Sequence, residues 1–341
     1  MILARNGIRT RHYAIDPATG TPTHTNAQLT AAAINQLLHS SGVLKEAIDL
    51  LACGTSSPDQ WIPNHAAMVQ GVLELPPCEI VSTAGVCCSG ITALRYACNA
   101  VAANADISAI VTGSELASGS IKAAHFRHQL EARVDNNPYL SFENEFLRWM
   151  LSDGAGAVLV QSQPKSKGVS LRVDWIDLIS YAGQLETCMY AGALKRPDGS
   201  LESWREAADP NSLLRLGYFN LSQDARTLEH NIITNAFRWS LERIILKYAV
   251  PAPDIDWLLP HLSSEFFRQP IASAMRELNY EVPQERWFTN LVSKGNTGSA
   301  SIFIMLAELV ASGKLQSGQR IVCVVPESSR FTFAYMLLTV H

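Results

Sequence analysis

The chain has 341 residues, 47% of them hydrophobic and 17% charged, enough apolar material for one large domain or two fused halves. Lys and Arg number 27 against 31 Asp and Glu, and a net charge of −4 offers no basic face to nucleic acid. No apolar run reaches the roughly 18–20 residues that span a bilayer, the opening Met1-Ile2-Leu3-Ala4-Arg5-Asn6 lacks the core of a signal peptide, and the seven cysteines, odd in number and mostly in apolar segments, read as free thiols of a reducing, cytoplasmic compartment.

In chain order, an amphipathic helix is predicted over residues 27–40, before the short apolar run Ile48-Asp49-Leu50-Leu51. A second helix is predicted over residues 65–73. Glu79-Ile80-Val81-Ser82-Thr83 reads as a strand that leads to the corner Gly85-Val86-Cys87-Cys88-Ser89-Gly90, and residues 91–104 read as the helix the corner opens. Apolar strands follow at 109–112 and 155–160, then the polar join Gln163-Pro164-Lys165-Ser166-Lys167-Gly168. Residues 184–220 have a mixed pattern with several turn formers and read as an insertion over a site. Helices at 229–248 and 302–312 flank the short apolar run at Ile255-Asp256-Trp257-Leu258, and a strand at 321–325 nears the end of the chain. Alternating strands and helices predict mostly parallel sheets covered on both faces.

Three landmarks recur in order at near-equal spacing. Ile48-Asp49-Leu50-Leu51 matches Ile255-Asp256-Trp257-Leu258. The strand leading to Cys88 matches Trp287-Phe288-Thr289-Asn290, which leads to Asn296. Ile110-Val111-Thr112-Gly113-Ser114-Glu115 matches Val322-Cys323-Val324-Val325-Pro326-Glu327. A duplicated α/β chain follows, with halves at residues 1–168 and 169–341.

A cysteine at a strand-to-helix corner faces the first amide groups of the helix, whose dipoles favour thiolate over thiol. Duplication brings equivalent strand ends together near a pseudo-twofold axis. Cys88, His261 after Leu259-Pro260, and Asn296 in Lys294-Gly295-Asn296-Thr297-Gly298 are therefore candidates for one site. No C-x-x-C or H-E-x-x-H spacing suggests a metal.

Through Asn6-Gly7-Ile8-Arg9, Cys88-Ser89-Gly90, Ser152-Asp153-Gly154-Ala155-Gly156-Ala157, Pro260-His261 and Gly295-Asn296-Thr297, nearly the whole chain resembles the β-ketoacyl-acyl-carrier-protein synthase III family of the thiolase superfamily. The resemblance implies an α/β thiolase-like fold, two halves stacked as an αβαβα sandwich. It implies a homodimeric ketosynthase that needs no cofactor and takes acyl groups from acyl carrier protein or coenzyme A thioesters. Cys88 would be the acyl-accepting nucleophile, because the family motif puts it immediately before a small residue and Gly, and Cys87 would be a packed core thiol. Backbone N–H groups of Cys88 and Ser329 would form the oxyanion hole. His261 and Asn296 would stabilise the enolate of a malonyl- or β-ketoacyl thioester, with His261 neutral in a dry pocket. Arg5, Asn231 and Ser264 stand at positions for coenzyme A or pantetheine, although the family commonly has Gln-Ala-Asn where Leu262-Ser263-Ser264 stand here. Ile62 matches a residue that the partner subunit inserts into the acyl pocket. The family's first strand and an adenine-stacking tryptophan would precede Met1.

Glu115 is a candidate accessory base for a further carbanion step or ring closure. With Glu327-Ser328-Ser329-Arg330-Phe331 in place of a glycine-rich loop, and with Arg11-His12-Tyr13-Ala14, it favours the secondary-metabolic branch that makes cyclohexanedione precursors of dialkylresorcinols and stilbenes. Fatty-acid initiation is the main alternative. A cysteine hydrolase and a non-catalytic binder of acyl carrier protein are further readings, separable by C–C product and by thiol reactivity.

Overall fold

The computed structural model describes residues 6–121, 147–207 and 209–341. The helix α1 (Asn26–Ser41) starts at a capping box between Thr25 and Gln28 and stops at Gly42, whose φ of 72° is left-handed. It is followed by β1 (Leu50–Thr55), α2 (His65–Leu73), β2 (Glu79–Ala84), α3 (Ser89–Ala103), β3 (Ala109–Glu115) and β4 (Gly154–Val160). Next come β5 (Leu171–Ser180), the short strands β6 (Met189–Tyr190), β7 (Ala193–Lys195) and β8 (Leu201–Ser203), then α4 (Pro210–Leu216), β9 (Ser222–Gln223) and α5 (Ala225–Ile233). A π-helical turn at Thr234–Ser240 joins α5 to α6 (Leu241–Tyr248), so the single helix predicted over 229–248 is longer at its start and locally unwound. The rest is β10 (Trp257–Pro260), α7 (Arg268–Glu277), α8 (Leu291–Lys294), α9 (Ser301–Ala311), β11 (Arg320–Glu327) and β12 (Thr332–Val340).

Two four-stranded sheets form, in the orders β2-β1-β3-β4 and β10-β11-β12-β5. β1 pairs in parallel with β2 and β3, and β10 pairs in parallel with β11. β4 on β3, β12 on β11 and β5 on β12 are antiparallel. The sheets are thus mixed rather than mostly parallel. One cause is local: only a short turn joins β11 to β12, and a tight turn can return a strand only in the antiparallel sense. The halves nevertheless match. β1, β3 and β4 correspond to β10, β11 and β12, and a lone parallel bridge from Leu258 to Trp287 stands where β2 pairs with β1.

Strand alternation supplies the layers. Leu50 and Ala52 of β1 face a central core with Ile91, Leu94 and Ala97 of α3, and with Ile302, Phe303 and Leu306 of α9. Ile321, Cys323 and Val325 of β11 close that core from the other sheet. The intervening residues face outward: Leu51 and Cys53 meet Ile34 and Leu38 of α1 and Val69 of α2. Val322 and Val324 meet Phe237, Leu241, Ile271 and Met275 on the opposite outside. Two sheets sandwich two helices and are covered by helices on both outer faces. The centre is tight: a Cβ at Gly113 would lie 2.2 Å from the Ser299 carbonyl oxygen, and one at Gly90 would lie 2.6 Å from the Phe303 ring. Only glycine lets α3 and β3 meet the start of α9 so closely.

Candidate active site

A cavity of about 620 Å³ opens at the strand ends of both halves. Cys87, Glu115, His261, Asn296, Ser328 and Ser329 line its polar end, while Leu228, Ile232, Phe237, Phe267 and Ile271 line an apolar flank. Met189, Tyr190, Ala191 and Phe219 of the inserted segment also line it, so that segment does lie over the site. Asp59 and Glu115 are the acids of the lining, and among the described residues that line it there is no lysine or arginine.

The corner after β2 buries both of its cysteines. Gly85 turns at φ 150°, and α3 begins at Ser89 with Cys88 as its N-cap residue. The Cys88 side chain turns towards β11 and β12. Its Sγ lies 3.2 Å from the Val325 carbonyl and 3.4 Å from the Thr332 carbonyl. Burial, then the Glu327 and Cys87 charges, pushes this thiol well up, and a hydrogen bond from the Ala334 backbone opposes that rise. Cys87 is packed in the same central core and also borders the cavity. Burial pushes its thiol up as well, with the Glu327 and Glu115 charges adding to the effect.

The expected oxyanion donor is also taken. The Cys88 N–H donates to Glu327 Oε2 at 3.0 Å, and the Val86 N–H donates to the same oxygen at 2.9 Å. Ser329 does line the cavity, and its hydroxyl donates to Glu327 Oε1 at 2.6 Å. Gln223 Nε2 braces the neighbouring Ser328 hydroxyl at 3.0 Å.

His261 follows β10, and its N–H continues the strand by donating to the Val324 carbonyl at 2.8 Å. Burial lowers its imidazole to about 4, so the ring is neutral near neutral pH, as the sequence suggested. Asn296 follows Gly295, whose φ is 71°. Its backbone is fixed from both sides: its N–H donates to the Met150 carbonyl and its carbonyl accepts from Ser152 N–H, each at 2.8 Å. Its Oδ1 accepts the Gly298 N–H at 3.0 Å, which orients the amide and leaves Nδ2 as the donor end.

Glu115 ends β3 and is buried. Ser56 and Ser57 hydroxyls donate to its Oε2 at 2.6 and 2.7 Å, and the N–H groups of Ser56 and Ser299 donate to its Oε1 at 3.1 and 3.3 Å. Burial raises its carboxyl above the usual range, and the four donors oppose that rise.

Other expected contacts fall elsewhere. Asn231 spends its side chain inside α5, with Nδ2 donating to the Thr227 carbonyl at 2.9 Å, and it does not line the cavity. Ser264 caps the short turn Glu265–Phe267 through the Phe266 N–H, and it is Ser263 that lines the cavity. Ile62 is 87% exposed beside the 67% exposed Trp61 and is not part of this chain's own cavity wall. Arg5 lies outside the described residues. Glu327 is the site residue that the sequence reading did not single out, although its place as the repeat counterpart of Glu115 was a usable signal.

Two family models match: 3-oxoacyl-[acyl-carrier-protein] synthase III, C terminal, over residues 247–326, and β-ketoacyl synthase, N-terminal domain, over residues 64–166. Both halves of the site fall within matched segments. The chain belongs to the β-ketoacyl-acyl-carrier-protein synthase III family of ketosynthases. As a member of that family it is an acyltransferase-type condensing enzyme. It is 27% identical over 320 residues to β-ketoacyl-[acyl-carrier-protein] synthase III 2 of Deinococcus radiodurans, covering 94% of this chain and 80% of that protein. Among solved structures, AbyA1, a tetronic acid condensing enzyme, superposes with a TM-score of 0.78 at 21% identity, covering 99% of this chain and 90% of the other. OleA of Xanthomonas campestris, solved with lauric acid and lauroyl-CoA bound, gives a TM-score of 0.74 at 19% identity over 98% and 86% of the two chains. No helix among the described residues is long and apolar enough to cross a membrane.

Proposed function

We propose that this ketosynthase transfers an acyl group from an acyl thioester to Cys88 and then joins it to the α-carbon of a second thioester. The observation that carries this reading is the place of Cys88 at the start of α3, next to the cavity-lining Cys87, with His261 and Asn296 on the same cavity. In the first step Cys88 sulfur bonds to the thioester carbon and the carrier leaves as a thiol, taking up the proton that cysteine gives up. In the second, the neutral His261 ring and Asn296 Nδ2 donate to the incoming thioester carbonyl as it becomes an enolate oxygen. The enolate carbon then attacks the acyl-Cys88 carbonyl and the cysteine sulfur departs. Preorganised donors of this kind are worth about 2.7–4 kcal/mol each in barrier height.

The nature of the lining favours a β-ketoacyl donor over a malonyl one. A malonyl carboxylate would enter an enclosed space with Asp59, Glu115 and the adjacent Glu327 and meet no lining lysine or arginine. A β-ketoacyl thioester is uncharged and its α-proton is acidic, so Glu115 can remove it as base with no loss of carbon dioxide. A diketone able to close to a cyclohexanedione is then within reach, which supports a role in secondary metabolism. Acyl carrier protein or coenzyme A delivers the thioesters, with no cofactor required, in the cytoplasm. A homodimer fits the half-exposed edge strand β2 and the projecting Trp61-Ile62 pair, with Ile62 completing the partner's acyl pocket.

The test incubates purified protein with an acyl thioester and either a β-ketoacyl or a malonyl thioester, following protein mass and products together. Acyl-Cys88 and a condensed diketone from the β-ketoacyl substrate are expected. A linear β-ketoacyl product obtained with malonyl carrier alone would return the enzyme to fatty-acid initiation. Thioester hydrolysis without a new C–C bond would make it a hydrolase.

A further inference from the structure

The π-helical turn at Thr234–Ser240 lies between two helices that read in sequence as one amphipathic pattern. Leu228 and Ile232 are four residues apart on α5, and Phe237, Leu241 and Ile244 follow at steps of four and three, all in one core. Within each set the spacing is that of a single helix face. The step between the sets, from Ile232 to Phe237, is five. At 3.6 residues per turn, a straight helix would put the second set nearly opposite the first. The wider π turn takes up the extra residue and joins the two sets into one apolar stripe. Leu228, Ile232, Ile233 and Phe237 thereby line the cavity, while Trp239 is left 53% exposed.

Two side chains hold the turn in this form. Asn235 Nδ2 donates to the Asn231 carbonyl at 2.8 Å, from inside the turn back to α5. The Tyr335 hydroxyl of β12 donates to the Ala236 carbonyl. Both residues are buried, Tyr335 completely, so the hold comes from the sheet as well as from the helix itself. Turns of this kind are rare and recur at functional sites.

We propose that Phe237 is a specificity-determining residue that sets the length of alkyl chain the apolar flank accepts, and that Tyr335 is the positioning residue that keeps the turn, and with it the ring, in place. The lining of that flank is hydrocarbon, so the uncharged chain of a thioester substrate fits it and a carboxylate does not. Phe237 is 1% exposed and packed in the outer core with Leu241, Ile271 and Met275, so its ring yields little to a longer chain. The inference rests on the reading of the chain as a ketosynthase that loads Cys88.

The experiment loads Cys88 from straight-chain acyl thioesters of graded length, then adds β-ketoacyl thioesters of graded length, reading acyl-enzyme and product by mass. Phe237→Ala should move the chain-length optimum of one half-reaction upward. A chain two methylenes beyond the parent optimum should gain about tenfold in relative kcat/KM. Tyr335→Phe keeps the ring and removes only the hydroxyl, so it should shift the optimum the same way by less. Regularising the turn also rotates Trp239 inward. Tyr335→Phe should therefore move tryptophan emission to shorter wavelength, and that shift should vanish in a Trp239→Phe background. Leu241→Ala, in the same core but off the cavity wall, should lower the denaturant midpoint and leave chain preference unchanged.

An unmoved optimum in Phe237→Ala, or an equal loss at every chain length, overturns the assignment of Phe237. Unchanged emission and optimum in Tyr335→Phe overturn the positioning role of Tyr335. Should Phe237→Ala not fold, Phe237→Leu decides by the same optimum. No acyl-Cys88 with any thioester would instead overturn the ketosynthase reading itself, a result distinguishable from the other two.

Discussion

The two strand-to-helix corners of this duplicated chain share a plan and differ in chemistry. In the N-terminal half β2 leads to Cys88 and then α3, and in the C-terminal half the stretch after Trp287 leads to Asn296 and then α9. Each corner is held by the glutamate that ends the central strand of the other half. One corner presents a sulfur and the other a carboxamide. Duplication thus supplies two equivalent positions around one cavity, and divergence gives one to covalent capture and the other to hydrogen-bond donation. His261 strengthens the asymmetry, because its repeat counterpart in β1 is near Gly54, which carries no side chain and lies against Gly90.

The largest expected effect comes from removing the sulfur of the first corner. Cys88→Ser should abolish the acyl-enzyme and reduce turnover by at least about a thousandfold, as loss of a nucleophile generally does. Cys87→Ser should keep acylation, because the acceptor sulfur remains. Intact mass after exposure to acyl thioesters separates the two, and the reverse pattern would make Cys87 the acceptor. Next in size is the second corner. Asn296→Ala should still form acyl-Cys88 and lose about 10²–10³ in condensation, the cost of one preorganised donor. Single-turnover assays resolve the two half-reactions, and an equal loss in both would break the division of labour between the corners.

Much of the site was legible because its residues lie at the ends of strands whose apolar runs and spacing repeat. Asp49 and Asp256, Glu115 and Glu327, and the positions of His261 and Asn296 are landmarks of that kind. The two-sided burial of β1 and β11 likewise follows from alternate residues facing different cores. The hold of Glu327 on the cysteine corner was not legible in the same way, because the carboxylate that accepts the Val86 and Cys88 amides comes from the far end of the chain. Asn231 and Ser264 misled for a different reason. Their short polar side chains satisfy the nearest backbone, one inside α5 and one at a turn cap, and are therefore turned from the cavity.

Glu115→Gln sharpens the comparison of the two acids. The amide keeps an acceptor for part of the serine cluster and removes the base. Acylation of Cys88 should be spared, while condensation of a β-ketoacyl thioester falls about a hundredfold. A loss confined to the β-ketoacyl substrate, with decarboxylative condensation untouched, would mark Glu115 as the base. An equal loss with both would leave it as a brace for the Asn296 corner.

The smallest effect is electrostatic and concerns His261. Its unfolded value is near 6.5 and burial lowers the folded one to about 4. Between those values the unfolded chain binds the extra proton, so stability rises with pH across that window and is lost as pH falls below 6.5. At pH 5 the deficit relative to neutral pH is about 2 kcal/mol for this one ring. Denaturant midpoints of the parent and of His261→Gln, measured at pH 7.5 and pH 5, should show the parent losing about that much more than the variant. Over the same range the parent should keep its donor neutral, so condensation should show no fall centred near 6.5. A fall centred there would mean that the ring is solvated and charges like a free histidine, and the dry pocket that distinguishes the second corner from the first would be lost.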